Sequence, residues 1–184
     1  MLCAIKTRGT IVNIHTDRVL GEIAACLDQV PEQQLEGLIE RLVAANRIFV
    51  AGCGRSGLVA KSFAMRLMHL GFVVYSLGET VTPAVQQDDF LLVISASGNT
   101  ASLTGVAQTA KKQGCAVNLI TGAHTSSIAN TADFVLELAV ASAQPMGSLF
   151  EQCAWILLDS TVLKIMEHSG ITQEQMRQRH ANLE

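Results

Sequence analysis

Phe90-Leu91-Leu92-Val93-Ile94 is an uninterrupted apolar run, the length and composition of a strand buried on both faces of a parallel sheet. It stops at Ser95-Ala96-Ser97-Gly98-Asn99-Thr100, and beyond that turn Leu103, Val106, Ala107 and Ala110 recur at helical spacing. The hydroxyl-rich turn is therefore expected to join the end of a strand to the start of a helix. Upstream, two amphipathic helices are predicted over 11–29 and 31–46, with Pro31 at a first helical position and Leu35, Leu38, Ile39 and Leu42 in one stripe. A strand over 47–51 runs into Gly52–Gly57 and a helix whose Phe63, Leu67 and Leu70 share a face, closed by Gly71. A strand over 73–76, the strand over 90–94, another over 117–120, a short helix around 126–132 and a strand over 134–138 follow. Five strands alternating with helical segments imply right-handed crossovers and a parallel sheet with helices on both faces, an α/β fold in the flavodoxin-like order 2-1-3-4-5. In that order strands one and three are neighbours. The Gly52–Gly57 and Ser95–Thr100 loops should then open side by side on one crevice at the carboxyl edge of the sheet.

That crevice suits an anion. The first N–H groups of a helix lack intrahelical partners and carry the positive end of its dipole, Ser and Thr add donors, and Gly98 lets backbone approach a ligand closely. Ser95, Ser97, Gly98, Asn99 and Thr100 are the candidate phosphate cradle, with no metal required. A single Ser97 or Asn99 would be read as a plain N-cap; three hydroxyls and a glycine within six residues favour the cradle. Gly52-Cys-Gly-Arg-Ser-Gly57 also matches the G-x-G-x-x-G dinucleotide fingerprint, with Glu79 22 residues past Gly57. Against a nicotinamide stand the compact second cradle and the lack of residues for a catalytic domain beside it. Both glycine loops as mere tight turns is the remaining alternative.

The C-terminal part changes the picture again. Gly147-Ser148 opens a helix predicted over 149–168 whose apolar residues, Trp155, Leu158, Leu163 and Met166 among them, occupy more than one face, so it needs cover on two sides. One domain offers one side, which points to a homo-oligomer. Glu151 falls in its first turn, either as a complement to the helix dipole or as a general base aimed into the crevice. Composition adds limits. The chain has 184 residues, 49% hydrophobic and 16% charged, with net charge −3, which argues for one domain over 1–184 and against a nucleic-acid surface. Within it, 1–46 holds N-terminal helices, 47–140 the sheet core and 148–184 C-terminal helices. No apolar run approaches a membrane span and the N-terminus lacks a signal-peptide core, so a cytoplasmic protein is expected. Five dispersed cysteines form neither a disulfide framework nor a zinc site and are expected as buried thiols.

Gly52-Cys-Gly-Arg-Ser-Gly57, Met65-Arg-Leu-Met-His-Leu-Gly-Phe72, Gly78-Glu-Thr-Val-Thr-Pro83, Ser95–Thr100, Pro145-Met-Gly-Ser-Leu-Phe-Glu151 and Arg179-His-Ala-Asn-Leu183 together resemble the 6-phospho-3-hexuloisomerase family of sugar isomerase (SIS) domain proteins. The cradle alone indicates only a sugar-phosphate-binding SIS domain; the last two stretches point to the hexuloisomerases. Asn99 stands where many SIS relatives carry Glu. The resemblance implies a three-layer α/β fold, a homotetramer, no metal or cofactor, and interconversion of D-arabino-3-hexulose 6-phosphate with fructose 6-phosphate. In that family the step follows formaldehyde capture by 3-hexulose-6-phosphate synthase in the ribulose monophosphate pathway. By resemblance and position Glu151 is the base. A His is the best acid, because its unperturbed pKa of about 6.5 suits a proton shuttle. His15 and His168 lie on helices remote from the loops, His124 follows the fourth strand and His69 sits late in a helix, whereas His180 lies in the tail motif and is the preferred acid, contributed by a neighbouring subunit. Gly52, Arg55, Ser56, Ser95, Ser97, Gly98, Asn99 and Thr100 are the expected substrate-binding residues. A regulator that binds a sugar phosphate without turnover, and an SIS isomerase for another sugar phosphate, are the alternatives.

Overall fold

A computed structural model describes residues 13–183; Cys3 and the first two residues of the first predicted helix, Ile11 and Val12, lie outside them. The chain runs α1 (Asn13–Leu27), α2 (Glu32–Ala44), β1 (Ile48–Gly52), α3 (Gly54–Leu70), β2 (Val74–Ser76), β3 (Phe90–Ile94), α4 (Ala101–Lys112), β4 (Ala116–Thr121), β5 (Phe134–Glu137), α5 (Ser148–Ser169) and α6 (Gln173–Gln178). The strands form one all-parallel sheet in the order β2-β1-β3-β4-β5, as the alternation of elements predicts.

Side chains of successive strand residues point to opposite faces. Ile48, Val50, Phe90, Leu92, Ile94 and Ile120 pack against α1, α2, α3 and α5. Phe49, Ala51, Leu91, Val93, Val117 and Leu119 pack against Leu103, Ala107 and Ala110 of α4 and against Ile128. All of β3 is buried because it is covered on both faces, which is why its sequence is a continuous apolar run. The α4 layer is thinner. No helix joins β2 to β3, and a cavity of about 500 Å³ lies between α4 and the 77–85 loop, lined by Phe49, Leu77, Pro83, Val85, Leu91 and Val106.

Three expectations are corrected. Residues 127–131 form turns instead of a short helix, because the Ser126 hydroxyl accepts from Ala129 N–H (3.2 Å) and the Ser127 N–H is drawn to Asn99. Pro31 sits just outside α2 with an extended ψ of 135°. Cys26, Cys115 and Cys153 are buried thiols, but Cys53 is exposed. On α5, buried Leu149, Phe150, Cys153, Leu157, Thr161 and Ile165 face the core while Trp155, Ile156 and Leu163 stay on the surface, so the helix is apolar on two sides.

Candidate active site

β1 and β3 are adjacent and in register, with Gly52 opposite Ile94, so the loops leaving them meet at the carboxyl edge. The first loop turns straight into α3. A Cβ on Gly52 would lie 2.7 Å from the Ser56 carbonyl, and one on Gly57 would lie 2.8 Å from the Gly52 carbonyl. These two glycines therefore let the strand end and the first helical turn touch. Ser56 is buried in that turn, whereas Arg55 reaches outward.

The second loop is held from below and behind. Ser95 is buried, and its hydroxyl accepts from Gly98 N–H at 3.2 Å. Gly98 has φ +61°, and a Cβ there would come within 2.1 Å of Ser126 Oγ. Asn99 is the staple: its Nδ2 donates to Ser97 O (2.9 Å), its Oδ1 accepts from Ser127 N–H (2.8 Å), and its own N–H donates to Ser97 Oγ (3.2 Å). The Ile128 N–H donates to Gly98 O at 3.0 Å, fixing the loop to the turns after β4. Ser97 and Thr100 remain at the surface edge, and neither Thr100 nor Cys53 uses its side chain to cap the helix it precedes. Cys53 Sγ and Ser102 Oγ are 3.6 Å apart, so the starts of α3 and α4 are neighbours. Two uncapped helix N-termini thus share one crevice, an environment that favours an anion.

Glu151 lies on the first turn of α5, where its carboxylate accepts from Arg55 Nε at the start of α3, and the two line a cavity with Leu58, Trp155 and Ile156. Its approach is set by a tight bend. Met146 has φ +59° and Gly147 +77°, and Ser148 Oγ donates to Pro145 O at 2.7 Å. Glu22 of α1 anchors the preceding loop, accepting from Ser142 Oγ at 2.5 Å and Gln144 Nε2 at 2.8 Å. Those two hydrogen bonds, with that of Arg18, lower the Glu22 pKa to about 2. Sequence reasoning missed Glu22 because the loop residues it anchors, Ser142 and Gln144, lie 120 and 122 residues away. Glu79, which a dinucleotide fingerprint would aim at a ribose, pairs instead with Lys61 at 2.8 Å.

His180 lies elsewhere in the chain. Its ring stacks on His69 near the end of α3, with centroids 5.2 Å apart and planes 18° from parallel. Arg55 and His69 are fourteen residues apart on that helix, which is about 21 Å along its axis. One chain therefore brings Gly52, Arg55, Ser56, Ser95, Ser97, Gly98, Asn99, Thr100 and Glu151 to one end of α3 and His180 to the other.

The SIS domain model matches residues 41–158. The chain belongs to the SIS domain family. Among curated SIS relatives, the 3-hexulose-6-phosphate isomerase of Bacillus subtilis is 38% identical, over 92% of this chain and 97% of that protein. The 3-hexulose-6-phosphate isomerase of Mycobacterium gastri is 37% identical, over 98% and 96%. A crystallised protein of Methanococcus jannaschii, for which a function of 3-hexulose-6-phosphate isomerase was inferred, superposes with a TM-score of 0.85 at 36% identity over 92% of this chain and 99% of that one. No described helix is long and apolar enough to cross a membrane.

Proposed function

We propose that the chain is a 6-phospho-3-hexuloisomerase that interconverts D-arabino-3-hexulose 6-phosphate and fructose 6-phosphate through an enediolate. The observation that carries this reading is Glu151, a carboxylate on the first turn of α5, ion-paired with Arg55 beside a cradle of Ser97, Asn99 and Thr100. The phosphate ester lies on the cradle and the α4 N-terminus, with Arg55 at its edge. Glu151 removes the proton from carbon 2, and an acid protonates the oxygen on carbon 3. Glu151 then returns its proton to carbon 3 while the acid recovers one from the oxygen on carbon 2, leaving the carbonyl there. His180 is that acid. Its Nδ1 lies 3.1 Å from the Ala181 carbonyl, which can only accept, so Nε2 is the nitrogen free to shuttle a proton.

His180 acts from a second copy. α3 and α5 lie side by side, with one cavity near Glu151 lined by Leu58 and Trp155 and another near His180 lined by Leu163 and Met166 together with Arg66, Asp159 and Arg177. Leu58 (62% exposed), Met65, Trp155, Ile156 and Leu163 (60%) leave apolar surface uncovered along these two helices. A two-fold axis near Ser62 sets Leu58 against the partner copy's α3 around Met65, and carries the partner copy's tail to the Glu151 end. Ile14 and Leu20, exposed on α1, provide apolar surface for a second contact, completing a homotetramer. The enzyme works in the cytoplasm on substrate supplied by 3-hexulose-6-phosphate synthase.

A coupled assay that follows fructose 6-phosphate formation tests the reading. Wild-type protein should turn over the 3-hexulose ester, and Glu151→Gln should lose on the order of 10²–10⁴ in kcat while fructose 6-phosphate still raises its Tm. Absence of wild-type turnover, or full turnover by Glu151→Gln, contradicts it.

A further inference from the structure

Of the four histidines that the proton transfers do not use, His69 is the buried one. His69 is buried to 2% exposure near the end of α3, and its ring is the surface on which His180 lies. Arg66 Nη1 is 3.3 Å from His69 Nδ1. A guanidinium only donates, so Nδ1 carries the lone pair and the ring is the neutral tautomer protonated on Nε2. Burial foremost, then the charges of Arg66 and His180, lowers the His69 pKa and keeps that form. The same residue holds the tail by its backbone, since Arg179 Nη1 donates to His69 O at 2.9 Å. The Arg179 guanidinium also covers Gly71, whose φ is +101° and where a Cβ would approach Arg179 Cζ to 3.2 Å. Two consecutive tail residues are thus fixed, one by ring stacking and one by a charge-assisted hydrogen bond, on a single helix end.

We propose that His69 is a positioning residue for the isomerisation: its buried, neutral ring is the platform that holds the exposed His180 imidazole in the orientation a proton shuttle needs. The proposal rests on the reading of His180 as the acid. An acid on a surface tail is useful only if its ring is held within hydrogen-bond reach of the reacting oxygens, and an aromatic face restricts a ring without removing its proton. A second consequence is chemical. The platform is neutral, so it does not set a permanent positive charge against the imidazolium that forms when His180 takes up a proton.

A double-mutant cycle with a conservative rescue is the test. His69→Leu should lower kcat ten- to hundredfold, the scale of a misplaced catalytic group, with KM for the 3-hexulose ester within about twofold. His69→Phe keeps a ring face and should recover to within about threefold of wild type. In a His180→Ala background, His69→Leu should cost no more than about twofold further, because its effect passes through the missing ring. If the Leu chain does not fold, His69→Gln takes its place in the cycle. Unchanged kcat in His69→Leu, equal kcat in the Leu and Phe variants, or an equal loss in the His180→Ala background overturns the proposal while the acid assignment stands. Wild-type turnover in His180→Ala overturns both.

Discussion

Arg55 and Glu151 are 96 residues apart in sequence, yet their side chains meet because α3 and α5 both begin at the carboxyl edge of the sheet. The pair is unequal: the Arg55 side chain is 59% exposed and that of Glu151 13%. The arginine is the member free to move toward a phosphate, and the carboxylate is the member held in place. On the cradle, Ser97 and Thr100 stand at the edge while Ser95 is turned inward. Ser97→Ala and Thr100→Val should therefore each weaken phosphate-ester binding by about 1.5–3 kcal/mol, roughly ten- to a hundredfold in KM, with Tm nearly unchanged. Michaelis constants equal to wild type in both variants would remove the phosphate from this loop.

At the scale of elements, the strand-loop-helix pattern was legible because it is written locally. β3 is a continuous apolar run, α5 is apolar on two sides, and the hydroxyl turn lies between β3 and the one-sided apolar stripe of α4. What was not legible depends on distant partners. Asn99 looks like a cap residue until Ser127 meets its Oδ1, and Ser126, read as the start of a helix, is instead packed against Gly98. His69 reads in the sequence only as a residue late in a helix; no periodicity could reveal that the tail returns to it across more than a hundred residues. Cys53 was expected with the buried thiols and lies in the crevice. Burial pushes the Cys115 and Cys153 thiols up to about 12. In a Cys3→Ser background, Ellman's reagent should therefore label one thiol in the native protein and the other three only on unfolding. Fructose 6-phosphate should slow that one reaction. Rapid labelling of a second thiol, or no protection by the ligand, would contradict the placement of Cys53.

For the whole molecule, His69 and a set of ion-paired carboxylates, Glu22 among them, make stability depend on pH in the same direction. His69 has a depressed folded pKa, so its contribution is complete above the unfolded value of about 6.5 and is lost as pH falls, since the unfolded chain then binds the proton more readily. Glu22 is held at about 2 against an ordinary 4.5, so its contribution is complete above 4.5 and is lost as pH falls toward 2. Urea midpoints measured across pH should decline in two stages on acidification. His69→Phe should flatten the upper stage, and Glu22→Gln should reduce the lower, which Glu32, Glu79 and Asp133 share. A midpoint that stays level between pH 7 and 5 would contradict the state assigned to His69.

The most direct measurement of the account's centre, a site built from Glu151 of one copy and His180 of another, is activity after mixing Glu151→Gln with His180→Ala under conditions of subunit exchange. Each parent carries only one intact residue at every site, whereas a mixed interface with one copy of each carries a site with both. The account predicts recovery well above either parent, approaching about a quarter of wild-type turnover per site when exchange is random. No recovery, with exchange verified by distinguishable tags on the two chains, would contradict it.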